Sequence, residues 1–208
     1  MKKVDYKKEL KQLYLPSSKE VSVVEMPKQQ FIMIDGQGDP HTSKEFQEAV
    51  EALFSLSYAL KFIVKKGKTG IDYGVMPLEG LWWSDDMTKF NVENKSDWKW
   101  TLMIMQPEFV TRELFDAALQ QVQKKKNLAA LSKLRFKTFT EGKAAQILHV
   151  GPFSGEGPAI DKIHSYIQNN GYEASGKHHE IYLSDITKTA PDKLKTIIRQ
   201  PVSQLTVQ

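Results

Sequence analysis

Apolar residues recur with a helical period most clearly at Phe46, Val50, Leu53, Phe54, Leu60 and Ile63. Thr42 or Ser43 stands where a cap is needed, and Lys65-Lys66-Gly67 follows the last apolar position. The pattern therefore predicts the longest helix of the chain, ending near Lys65. Thr111 precedes a second stripe, Leu114, Phe115, Ala118 and Val122, which runs into Lys124-Lys125-Lys126, charges suited to the negative end of a helix dipole. Leu128, Leu131 and Leu134 predict a further short helix. Ile160, Ile163, Tyr166 and Ile167 predict a helix over residues 159–169 that Asn170-Gly171 ends. Leu10, Leu13 and Tyr14 share a helical face within a polar, lysine-rich arm, residues 1–20, that can lie against the body.

Between these helices the period changes to that of strands. Residues 21–26 and 30–35 read as one long or bent strand broken at Pro27. Residues 73–83 read as a strand kinked at Pro77 and Gly80, near a sheet edge. Further strands are expected at 98–105, 136–141, 144–150, 178–185 and 194–199, the last closed by Gln200-Pro201. Residues 85–97 form a polar loop, and residues 151–158 a glycine-rich loop without the dinucleotide fingerprint.

Both halves thus read strand, strand, loop, helix, strand, strand. Leu81-Trp82-Trp83-Ser84-Asp85 aligns with Ile181-Tyr182-Leu183-Ser184-Asp185, and Ile104-Met105-Gln106-Pro107 with Ile198-Arg199-Gln200-Pro201. The expected fold is α+β: a tandem repeat with antiparallel sheets and a central ligand cleft. It comprises an arm (1–20) and one domain (21–208), divided into repeat one (21–107), a helical connection (108–134) and repeat two (135–202). In this alignment Glu180 is the mate of Gly80, and Tyr182 of Trp82. Trp82, Glu180 and Tyr182 are expected to face the cleft, with Trp83 and Leu183 turned toward the helices.

Composition removes several alternatives. With 208 residues, 40% of them hydrophobic and 26% charged, the chain is long enough to bury a core. A net charge of +4, without an arginine-rich run or zinc spacing, reads as a solvated lysine surface, so no direct nucleic-acid partner is expected. The absence of cysteine excludes disulfides, thiolate nucleophiles and Cys-ligated metals. No apolar run approaches the ~18 residues of a spanning helix and no apolar signal region follows the N-terminal lysines, so a cytoplasmic protein without a membrane partner is expected.

Candidate chemistry concentrates in His178-His179-Glu180-Ile181-Tyr182. Alternation places His178, Glu180 and Tyr182 on one face. A glutamate in mid-strand is either solvated or engaged. Burial would raise its pKa and hydrogen-bond donors would lower it; ionised, it binds a cation or deprotonates water. The Tyr182 hydroxyl can donate to a developing oxyanion or to Glu180. Trp82 offers a flat wall for a planar ligand; Trp83 suits the core. Trp98 and Trp100 share a face, core or cleft, and Tyr73 offers a second hydroxyl. His178 and His179 point to opposite faces, and His41, His149 and His164 are scattered, so no metal and no organic cofactor is expected.

The repeat pair, Gly151-Pro152 after a strand, and His179-Glu180-Ile181-Tyr182 resemble the GyrI-like small-molecule-binding family over about residues 20–202. Tyr73-Gly74-Val75-Met76-Pro77-Leu78-Glu79-Gly80-Leu81-Trp82-Trp83 is similar to a stand-alone branch of that family. The resemblance implies recognition of planar, lipophilic xenobiotics, and the branch implies hydrolysis of cyclopropane-bearing DNA alkylators. On that reading Glu180 and Tyr182 are catalytic, and Trp82, Tyr73, Trp100 and His178 bind ligand. The alternatives are a multidrug-sequestering protein without catalysis and a gyrase-inhibitor-like interaction protein.

Overall fold

The computed structural model describes residues 2–85, 95 and 97–205. In chain order its elements begin with β1 (Lys2–Val4), α1 (Tyr6–Glu9), α2 (Lys11–Tyr14), β2 (Ser22–Met26), β3 (Gln29–Gln37) and α3 (Lys44–Lys66). They continue with β4 (Ile71–Tyr73), β5 (Leu78–Trp83), β6 (Lys99–Gln106), α4 (Arg112–Lys125), β7 (Arg135–Phe139) and β8 (Gly142–Val150). The last are α5 (Gly157–Asn169), β9 (Tyr172–Ala174), β10 (His178–Tyr182) and β11 (Lys195–Gln204). The fold is α+β and, apart from the parallel pair β1–β4, its strand pairing is antiparallel, as the expected fold has it.

The chain forms two compact units that do not follow its order: Met1–Tyr6 with Gln29–Phe139, and Lys7–Lys28 with Thr140–Gln208. In the first unit the strands run β5-β6-β3-β7, every pair antiparallel, while β1 pairs with β4 in parallel. Ser43 caps α3 by accepting from the Phe46 backbone N–H, and Thr111 caps α4 in the same way through Leu114. The buried stripe of α3 is Ala49, Ala52, Leu53, Leu56, Ala59, Leu60 and Val64. Val50, Phe54 and Ile63 lie at its margins, because alanines bring the helix close to the sheet and larger residues stand beside that contact.

In the second unit the order is β2-β8-β11-β10, again antiparallel, with β9 on the far end of β11. Ile163 and Ile167 of α5 pack on Ala145, Ile147, Ile198 and Val202. Met1–Tyr6 belongs to the first unit, while the arm from Lys7 onward belongs to this one. Its Leu13 and Tyr14 are buried, and its backbone is tied to the sheet where Leu148 donates to the Ser17 carbonyl.

Three strand expectations are corrected. The bent strand expected across Pro27 is two strands in different units: β2 pairs with β8, whereas β3 pairs with β6 and β7. The strand expected at 73–83 is also two, β4 and β5, separated around Pro77, whose missing N–H interrupts a ladder. Conversely, β11 does not stop at Pro201. The Pro201 carbonyl accepts from the Ser175 N–H, and residues 202–204 go on to pair with β9. Most of the loop expected at 85–97 lies outside the described residues.

The ladders refine the repeat. Gly80 pairs with Leu102, but Glu180 pairs with Ile198, the residue aligned with Ile104. The two short sequence matches therefore differ by two positions in register, and an even offset leaves every side chain on the same face.

Candidate functional site

On β10 the pleat separates His178, Glu180 and Tyr182 from His179 and Ile181. Glu180 stands in the cross-strand row Glu180–Ile198–Ile147, whose two isoleucines lie beneath α5. Its carboxylate is held from both sides. The Tyr182 hydroxyl donates to Oε2 at 2.7 Å, and His178 Nε2 lies 3.2 Å from Oε1. Same-face neighbours on a strand are about 6.5 Å apart, so only side chains of this length close such a bridge. The glutamate side chain is 14% exposed and the histidine 13%, so the trio is largely buried yet reachable. Of the two roles open to the Tyr182 hydroxyl, this structure shows the bond to Glu180.

The glycine-rich loop reaches the same face. Phe153 meets Tyr182 edge to face, with ring centroids 5.8 Å apart. Gly151 makes this turn possible. Its φ is +140°, and a Cβ would stand 3.3 Å from the His149 ring, whose Nε2 lies 3.0 Å from the Pro152 carbonyl. A carboxyl group bonded by Tyr182 and His178 can, when ionised, hold a cation, orient a water or accept its proton.

The reverse face of β10 carries a charged network that the sequence reading missed. His179 Nδ1 lies 2.8 Å from Glu141 Oε1, and Arg199 Nη1 donates to Glu141 Oε2 at 3.5 Å. Arg199 also donates twice to Gln146 Oε1 and, at 2.7 Å, to the Leu13 carbonyl of the arm. All three side chains, Glu141, His179 and Arg199, are nearly inaccessible. Burial pushes the Glu141 carboxyl upward, but His179 and then Arg199 outweigh it and hold its pKa below the ordinary value. The available signal was an arginine directly after the apolar pair Ile197-Ile198 within an expected strand.

Trp82, Trp100 and Tyr73 belong to the first unit. Trp82 stacks on Phe46 of α3 with centroids 5.9 Å apart, and Trp98 meets it edge-on at 5.6 Å. Trp100 packs edge-on against Phe46 and covers Gly36 so closely that a Cβ there would lie 2.2 Å from its ring. Thus Trp82, rather than Trp83, turns to the helix: Trp82 and Trp100 are ladder mates on the face that α3 covers. The Trp100 indole N–H and the Tyr73 hydroxyl are buried without a hydrogen-bond partner among the described residues. Burial, with Tyr6 nearby, pushes the Tyr73 phenol well above its usual pKa. Glu79, on the opposite face of β5 from Trp82, is a buried carboxylate that the sequence reading passed over. Among the described residues no cluster of His, Asp and Glu could hold a metal ion, and no helix is long and apolar enough to cross a membrane.

Two structures from Listeria innocua described as hydrolases are similar to this chain. One is 40% identical, with a TM-score of 0.87, covering 97% of this chain and 100% of its own. The other is 38% identical, with a TM-score of 0.83 and coverage of 96% and 100%. An uncharacterized conserved protein from the same organism is 39% identical, with a TM-score of 0.89 and coverage of 96% and 100%. The EcmrR C-terminal domain, at 13% identity and a TM-score of 0.56, shares the fold; it covers 89% of this chain and 98% of its own. No curated protein matches the sequence. The model of the GyrI-like small molecule binding domain matches residues 19–203, and the chain belongs to the GyrI-like family.

Proposed function

We propose that this small-molecule-binding domain recognises planar, lipophilic xenobiotics and hydrolyses strained, cyclopropane-bearing genotoxins at the Glu180 face of β10. The observation that carries the reading is the convergence of His178 and Tyr182 on the two oxygens of one largely buried carboxylate. The hydrolase description of two relatives at 38–40% identity supports a hydrolytic reaction class.

In the proposed step a water oxygen bonds to the cyclopropyl carbon as the strained C–C bond breaks. The electron pair of that bond moves into the conjugated ring and onto its carbonyl oxygen, which becomes a phenolate. Glu180 takes the proton of the attacking water, and the phenolate is protonated in turn. Tyr182 first orients Glu180, and its hydroxyl stabilises the new oxyanion once Glu180 carries the proton. Only contacts that strengthen in the transition state raise the rate, and strain release with aromatisation supplies much of the drive. In cells such a reaction confers resistance to the toxin.

Incubation of the protein with a cyclopropane-bearing alkylator is expected to give the hydrated product by mass spectrometry. Glu180→Gln is expected to lower turnover by at least about 100-fold, the scale of lost general-base catalysis. A variant that turns over normally would remove Glu180 from the mechanism. Unchanged toxin co-eluting with the wild-type protein would instead establish sequestration. That second reading rests on the same carboxylate, which is held between Tyr182 and His178 and is suited to serve as a fixed counter-charge.

A further inference from the structure

The long helix α3 is apolar on more than the face its own unit uses. Opposite the buried stripe, Phe54, Tyr58 and Phe62 follow one another at four-residue intervals. Such a row forms a continuous ridge on a helix surface. Tyr58 is 48% exposed and Phe62 49%, while Phe54 is half-buried with its ring 6.4 Å from that of Tyr58. A contiguous apolar row exposed on a helix marks an interaction site.

The borders of this ridge are polar and already organised. On one side Lys126, at the end of α4, reaches Glu51 and Ser55 at 3.2 Å each. On the other, Asp72 of β4 takes Lys65 at 2.8 Å and Lys61 at 3.5 Å. An apolar centre inside a polar rim is the anatomy of a protein interface. The helix also has a direction of charge. Glu48 and Glu51 precede the ridge, and Lys61, Lys65 and Lys66 flank or follow its end.

We propose that this ridge is a self-association face, occupied by α3 of a second copy in antiparallel orientation about Tyr58. That arrangement sets Phe54 at the level of the other copy's Phe62, and Glu51 at the level of its Lys65. Each charge lies seven residues, roughly 10 Å of helix, from Tyr58 and nearly in line with it. A parallel arrangement would set acid against acid and lysine against lysine. A fully buried aromatic side chain removes about 150–250 Å² from water. Three aromatics that are already partly covered therefore leave the dimer below the roughly 1,200 Å² of a standard stable interface. The dimer is weak, and its population rises with concentration.

Sedimentation velocity on the full chain from about 1 μM to about 1 mM tests this. The expected result is a monomer at the low end and a dimer accumulating toward the high end. Tyr58→Lys and Phe62→Lys, both on the exposed surface, are expected to keep the far-UV circular dichroism spectrum and remain monomeric throughout. Glu51→Lys or Lys65→Glu alone is expected to weaken the dimer, and the double exchange to restore it. A single monomeric species across the whole range overturns the proposal, as does a dimer that Tyr58→Lys leaves intact. Neither result depends on the reaction proposed for Glu180.

Discussion

Glu141 and Glu180 lie on opposite sides of one strand, and their surroundings set them different tasks. Glu180 keeps a partly open carboxylate between His178 and Tyr182. Glu141 is sealed between His179 and Arg199, and that pairing holds its pKa below 4.5 against the opposing effect of burial. A carboxyl whose pKa is lower folded than unfolded contributes stability that is complete above its unfolded value. The contribution fades as the pH falls through the folded value. Thermal unfolding between pH 7 and pH 3 is therefore expected to show a loss of stability beginning below about pH 4.5, the ordinary glutamate range. Glu141→Gln should flatten that loss while costing about 3–5 kcal/mol near neutral pH, because it strands a buried arginine. Equal acid slopes in the two proteins would rule out this assignment. The Glu180 face was legible in the sequence because alternation needs no partner to be read. The Glu141 network was not, since its members lie 38 and 58 positions apart and local patterning carries no record of such distant partners.

For whole elements, legibility followed local chemistry. The α3 and α4 caps were readable because a cap needs one hydroxyl at one position, and both Ser43 and Thr111 accept the expected bonds. By pattern Pro27 breaks a strand, Pro77 kinks one and Pro201 closes one, and the structure treats the three differently. The first two separate strands, whereas Pro201 stays in β11 because its carbonyl still finds a donor in the Ser175 N–H. Gly36 gave no local signal either, although the Trp100 ring rests where its side chain would be. Gly36→Ala is expected to displace that ring and cost about 1–3 kcal/mol, the scale of an overpacked core. The check is the melting temperature together with the near-ultraviolet tryptophan circular dichroism. If both were unchanged, the ring would have to be free to move, which its contact with Phe46 argues against.

At the scale of the whole chain, the two compact units are interleaved in sequence. Residues 7–28, with β2, complete the unit whose other strands come from the C-terminal third, while β1 and β7 belong to the other. Chain-order reasoning missed this assignment because antiparallel pairing carries no record of which distant strand is the partner. Hydrogen exchange can test the membership. Leu13→Asp puts a charge at a buried arm position beside the carbonyl that holds Arg199. It is expected to raise amide exchange across β8, β10 and β11 and to leave β3 and β6 near wild-type rates. Uniformly raised exchange in both units would contradict the division.

The arm's anchoring has a consequence during synthesis. Gln12 waits for Gln146, 134 positions later, and the Leu13 carbonyl waits for Arg199, 186 positions later. At roughly 5–20 residues per second, those delays are on the order of 7–27 s and 9–37 s. The other unit, complete once Phe139 has left the ribosome, can close while Leu13, Tyr14 and the β2 valines are still unpaired. Residues 12–14 are thus buried long after they are made, and this part of a nascent chain is exposed to proteases and chaperones until Arg199 has emerged.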